Sequence, residues 1–252
     1  MIAVLLIGDE ILSAQVKDEN LVYIVDRLSE AGYETGEARV IRDDVEQIAG
    51  AFRELAQRYE YVISAGGVGP THDDITFDGV AAAFDLPLEI NEGMRSFLEG
   101  HHGADMGPAV VKMAMLPAGA EVDTGDNRKW PLVRVRNCFV LPGLPRALRD
   151  KIDRIVRRLP LLERSWIARI YLSVPEDLIA DWLGELQNDN PSVAVGSYPV
   201  LDEPKYRTRV TVKGVSKEAV QEAYRKGVEY LEEYLVGSNP PEPIGGGLSE
   251  GA

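Results

Sequence analysis

The sequence predicts an α/β protein, a mostly parallel sheet covered on both faces, followed by a small α+β domain. Three observations carry this. Residues 2–7 form an unbroken apolar run, the pattern of a strand buried on both faces of a parallel sheet. Strand-like and helix-like segments then alternate through residue 85. Beyond residues 160–165 the pattern changes to strand, helix, strand, strand, helix.

Met1–Ile7 is the first strand, and Gly8-Asp9-Glu10-Ile11-Leu12 turns the chain. Residues 20–31 place Leu21, Ile24, Val25 and Leu28 at helical spacing, with Gly32 as the stop. Thr35–Val40 is the second strand. Asp44 and Gln47 have capping-box spacing before a helix whose stripe is Ile48, Phe52, Leu55 and Tyr59. Tyr61–Ser64 is the third strand, and Phe77–Phe84 a helix. Asn91 caps a helix over Glu92–Glu99. Residues 106–115 read as irregular. Leu132–Val135 and Cys138–Leu141 read as a hairpin turning at Arg136-Asn137, before a helix from Arg146 to Arg158. In the second domain Ile167–Val174, Val193–Val195 and Tyr206–Lys213 are strands, and Ser216 caps a last helix, Lys217–Leu235. The expected division is 1–163, 164–236 and a Pro-, Gly- and Ser-rich tail, 237–252, expected to be disordered.

Composition narrows the function. A net charge of −14, from 27 basic and 41 acidic residues, argues against nucleic acid as the main partner. Cys138 is the single cysteine and lies in an apolar run, so it reads as a buried, inert thiol. The first apolar run is too short for a signal peptide, and no run approaches a membrane span, so a cytoplasmic location and no membrane partner are expected. His101 and His102, and Arg154, Arg157 and Arg158, read as solvated helix ends.

Chemistry concentrates in residues 64–76, Ser-Ala-Gly-Gly-Val-Gly-Pro-Thr-His-Asp-Asp-Ile-Thr. Three glycines in four residues suit a sharp turn, and a turn opening a helix directs unpaired amides at one point, which suits a phosphate. No Gly-Lys-Ser/Thr follows, so this is no P-loop, and the spacing is not that of a dinucleotide fold. Asp73 and Asp74 adjoin this anion site. One aspartate would serve as a helix cap, worth ~1 kcal/mol; two beside an anion make sense when a divalent cation joins them. Ligands bind beyond the carboxyl ends of such strands. That brings together the loops Gly8–Glu10, Arg42–Asp44 and Gly66–Asp74, and so Glu10, Asp43, Asp73 and Asp74.

Residues 66–76 resemble the signature of the CinA-like branch of the molybdopterin-binding (MoaB/Mog-like) family, which includes the corresponding domain of FAD synthases. Gly8-Asp9-Glu10-Ile11-Leu12 with Asn20, Val40–Asp44, Pro131–Asn137, Val140–Gly143 and Gly196–Pro199 extend the similarity over most of residues 1–235. The resemblance implies a three-layer fold and a homo-oligomer. It also implies a pterin or dinucleotide ligand and a pyrophosphatase using Mg, Mn or Co on ADP-ribose, FAD or a similar dinucleotide. Carried over, Asp43, Asp73 and Asp74 are catalytic, with Asp73 and Asp74 on the metal. Gly8, Glu10, Gly66, Gly67, Gly69, Pro70, Thr71, Thr76, Pro142 and Gly143 hold the ligand. The alternatives are a molybdenum-cofactor assembly step and a non-catalytic pterin- or nucleotide-binding module. Two departures stand out. Asp9 replaces the family's Thr, and residues 125–131 replace its usual Gly-Thr-Ala-Pro-Gly segment, bringing the chain closer to the FAD-synthase type.

Overall fold

The computed structural model describes residues 1–103, 105–125, 130–160, 165–201, 203 and 205–244. Residues 126–129 of the departing segment, 161–164 of the expected boundary and 245–252 of the expected tail lie outside them. The chain divides into two units, Met1–Ser29 with Tyr33–Leu159, and Glu30–Gly32 with the residues from Pro160 onward. No helix among the described residues is long and apolar enough to cross a membrane.

The first unit begins β1 (Ile2–Ile7), α1 (Asp9–Leu12), α2 (Asn20–Glu30), β2 (Thr35–Ile41), α3 (Val45–Arg58), β3 (Tyr61–Ala65) and α4 (Thr76–Phe84). It continues β4 (Leu88–Ile90), α5 (Glu92–His102), α6 (Pro108–Lys112), β5 (Met115–Pro117), β6 (Glu121–Asp123), β7 (Leu132–Val135), β8 (Cys138–Leu141) and α7 (Pro145–Val156). Its main sheet runs β2-β1-β3-β8-β7-β6. The first four strands are parallel, and β7 pairs antiparallel with both β8 and β6. From β1 the chain crosses to β2 on one side, then returns past β1 to β3. Right-handed crossovers therefore put α2 and α3 on opposite faces. Ala3, Leu5 and Ile7 pack in one core with Ile48, Phe52, Leu55 and Val80. Ile2, Val4 and Leu6 alternate to the other face and are also fully buried. The order reverses at β1, and the crevice at such a reversal lies beyond the strands' carboxyl ends.

Local signals behave as their chemistry dictates. Asp44 accepts from the Gln47 amide at 2.9 Å, and Asn91 from the Met94 amide at 3.1 Å. Arg136 takes φ 55° between β7 and β8, as a tight hairpin requires. Residues 106–115, expected irregular, contain α6, a short helix with Pro108 in its first turn. Burial pushes the Cys138 thiol up to about 12, so it is inert near neutral pH.

The second unit holds β9 (Ser165–Leu172), α8 (Ala180–Asp189), β10 (Ala194–Pro199), β11 (Thr208–Gly214), α9 (Lys217–Tyr230) and β12 (Leu235–Ile244). Its antiparallel sheet runs β10-β11-β9-β12. Ala168 and Val212 pack against Val220 and Ala223 of α9, and Ser216 caps that helix. The expectation that disorder starts at residue 237 is corrected: residues 237–244 belong to β12. Its prolines, Pro240, Pro241 and Pro243, read as breakers in sequence. An edge strand needs only one row of amides and tolerates them, with the register slipping between Asn239 and Glu242. α9 also ends at Tyr230 rather than at Leu235.

Candidate functional site

The loops after β1, β2 and β3 meet in the first unit. The Gly8 amide donates to the Ile41 carbonyl at 3.1 Å, and the Asp9 amide to Asp43 Oδ2 at 2.9 Å, which joins the first two loops. Three consecutive charged residues have separate tasks. Arg42 Nε donates to Asp9 Oδ1 at 2.9 Å, Asp43 turns inward, and Asp44 caps α3. Glu10 folds its carboxylate back over Gly8.

The third loop leaves β3 through Gly66 and Gly67, at φ 116° and 62°. A Cβ on Gly66 would overlap the Ile7 carbonyl, and one on Gly67 the Thr76 hydroxyl, so neither position admits a side chain. The buried Thr76 folds the loop back, its hydroxyl donating to the Gly66 carbonyl at 2.9 Å and its amide to the Gly67 carbonyl at 3.0 Å. The Gly66 amide extends the sheet to Leu141 O at 3.0 Å, and the Thr71 amide donates to Asp74 Oδ2 at 2.8 Å. Both were expected in the phosphate cradle, yet both amides are engaged. Within residues 66–71 that leaves the amides of Gly67, Val68 and Gly69 without a recorded acceptor, Pro70 having no N–H. Pro70 lies exposed at the loop's outer side. Gly143 packs on Gly66, beside the buried Pro142, and its carbonyl accepts from Asn20 Nδ2 at 2.7 Å.

The two aspartates of the motif differ. Asp74 Oδ2 accepts from both the amide and the hydroxyl of Thr71 and closes the turn. Asp73 stays mostly exposed, with His72 Nδ1 3.9 Å away. Neither caps α4: the capping position is Ile75, which makes no side-chain capping bond. Burial raises the Asp43 carboxyl above the ordinary carboxylate range, and the charges of Glu10, Asp9 and Asp73 raise it further against the bond from the Asp9 amide. Asp73 moves the other way, held low by the Thr71 side chain, its own amide, and the charges of His72 and Lys112. Two neighbouring carboxylates driven in opposite directions is the pattern of divided acid–base roles.

The donors here are oxygens, which suit a hard cation. Among the described residues no three His, Cys, Asp or Glu side chains form a group able to hold a metal. The set fits a cation held by one or two carboxylates whose remaining positions are filled by ligand oxygens and water.

Sequence reasoning missed Lys112, whose ammonium donates to the carbonyls of Thr71 at 2.8 Å and Asp74 at 2.9 Å. No pattern in residues 106–115 signals this long-range contact. It also missed a cavity of about 170 Å³ beside Gly69 and Asp74, walled by Phe77, Lys112 and Met113.

Residues 3–164 match the family model described as a probable molybdopterin binding domain, and residues 165–239 match that of the FAD synthase middle domain. A protein of Archaeoglobus fulgidus is 32% identical over 227 residues, covering 89% of this chain and 95% of the relative. A probable FAD synthase of Caenorhabditis elegans is 31% identical over 261 residues, covering 93% of this chain and 50% of the relative, so the chain spans about half of it. Among solved structures, the protein CinA of Thermoplasma acidophilum, titled as of unknown function, is similar at a TM-score of 0.58. It is 27% identical, covering 62% of this chain and 97% of that one.

Proposed function

The chain belongs to the family of the probable molybdopterin binding domain, and on that premise we propose that it is a metal-dependent nucleotide pyrophosphatase hydrolysing ADP-ribose, FAD or a similar dinucleotide. The observation that supports this most is the opposed pair Asp43 and Asp73 beside the three unengaged amides of Gly67, Val68 and Gly69. Those amides bind phosphate oxygens without adding mobile charge, and pre-oriented donors of this kind favour charge developing at phosphorus. Asp73 and Asp74, the latter through its carboxylate oxygen outside the Thr71 clasp, would hold the cation. When bound, a divalent cation neutralises pyrophosphate charge and acidifies a coordinated water. Asp43 Oδ2 is oriented by the Asp9 amide, which leaves Oδ1 to accept a proton from the attacking water. Its raised affinity for a proton suits that task.

The test is release of AMP from ADP-ribose and from FAD with Mg²⁺, Mn²⁺ and Co²⁺ in turn. AMP with ribose 5-phosphate, or with FMN, is the expected product pair. Background release under all three metals would overturn the hydrolase. A second reading, a pterin- or nucleotide-binding module without turnover, draws on the family description and on the small number of carboxylates arranged for a metal among the described residues. It expects saturable binding with no product.

A further inference from the structure

We propose that Lys112 is the positioning residue of this site, stapling residues 71–74 so that Asp73 is presented in one place. The inference rests on the reading that Asp73 serves a cation. Lys112 stands at the last position of α6, 41 residues from Thr71 and 38 from Asp74. Its two acceptors, Thr71 O and Asp74 O, bracket His72 and Asp73. The Asp74 amide donates to Thr71 O at 3.3 Å, and Asp74 Oδ2 takes the Thr71 amide, so the same four residues are closed internally and anchored externally. The internal clasp alone fixes the turn's shape. It does not fix where the turn sits relative to Asp43, because Pro70, Thr71, His72 and Asp73 are exposed and little else holds them.

The choice of partner is informative. In a chain of net charge −14, an ammonium has many carboxylates available. Lys112 has no carboxylate at ion-pair distance among the described residues and donates to two neutral carbonyls instead. Charge-assisted bonds are the stronger kind, and two on one loop make a firm anchor.

The experiment compares wild type, Lys112→Met and Lys112→Arg in the full chain by three measurements. These are melting temperature, titration with Mn²⁺ alone, and hydrogen exchange of amides 69–76. In Lys112→Met, Mn²⁺ affinity should fall at least ~5-fold and exchange in 69–76 should rise at least ~10-fold, with melting within a few degrees of wild type. Lys112→Arg, which also offers two donors, should restore both to within about twofold. If Lys112→Met melts far lower, Lys112→Gln, which keeps a donor on a shorter stem, replaces it with the same expectations. Unchanged affinity and exchange in Lys112→Met, or a loss that Lys112→Arg does not restore, would overturn the positioning role. If wild type binds no Mn²⁺ and cleaves no dinucleotide, the pyrophosphatase reading fails by itself, and the exchange comparison with its Arg rescue decides Lys112.

Discussion

β2 carries acidic groups at both ends, and they have opposite fates. Near its start, Glu37 accepts from Arg39 and from the Tyr59 hydroxyl at 3.0 Å, with Arg58 also 3.0 Å away. Arg39 and Arg58 each reach Glu54 at 2.8 Å. Arg39 holds Glu37 below the ordinary range, and Arg39 with Arg58 brings Glu54 down to about 2. Past the other end, Asp43 is half-buried, and partial burial with the charges of Glu10, Asp9 and Asp73 raises its carboxyl. The nearest arginine, Arg42, turns to Asp9 instead. Among the described residues neither Asp43 nor Glu10 has a cationic partner. One cluster satisfies its charge within the protein; the other leaves it for something bound. Such unmet charge marks a working site better than acidity itself.

Substitutions test whether that difference is real. The largest effect is expected at the open end: Asp73→Asn should lower metal-dependent release of AMP by ~10²-fold or more, with the fold retained. A smaller loss would place the cation elsewhere. Next, Asp43→Asn should abolish most turnover yet raise the melting temperature at pH 7. The sign follows from the raised carboxyl: the folded state disfavours the ionised form, so Asp43 supports folding when protonated and opposes it as pH rises through its shifted value. The gain in Asp43→Asn should therefore fade on acidification and vanish below the ordinary 3.8. A variant less stable at pH 7 would contradict it. The smallest effect belongs to the paired end. Glu54→Gln should leave turnover unchanged and move melting by no more than about 2 °C at pH 7, as exposed ion pairs contribute little. That contribution is present above the ordinary 4.5 and is lost as pH falls toward about 2, where wild type and variant should converge.

How much of this was legible in the sequence depends on the range of the interaction. The convergence of Gly8, Asp43 and Gly66 could be read because each follows a strand, and parallel strands bring their carboxyl ends together. The strain at Gly66 and Gly67 was written in the residue type. Asp73 and Asp74 looked equivalent because adjacent identical residues carry no local difference. The backbone separates them by turning one onto Thr71. Lys112 was invisible, since a bond across 38 residues leaves no periodicity. The opposite error occurred at β12, where three prolines outweighed a strand that tertiary pairing sustains.

Those prolines have a consequence for association. The four-stranded sheet ends in the strands β10 and β12, and on β10 the Val195 amide already donates to Gln187 Oε1 at 2.9 Å. Pro240, Pro241 and Pro243 carry no N–H, so β12 is a broken template for another strand. Growth by laying the β10 of one copy on the β12 of the next would be an open, repeating addition, and that route is blocked. Addition at β10, which spans about 20 Å, would have to displace the Gln187 side chain from Val195. An antiparallel β10-to-β10 pairing about a two-fold axis uses the same edge twice and leaves none to extend, so it stops at two copies. The prolines of β12 thus set the sheet against open, fibre-like strand addition.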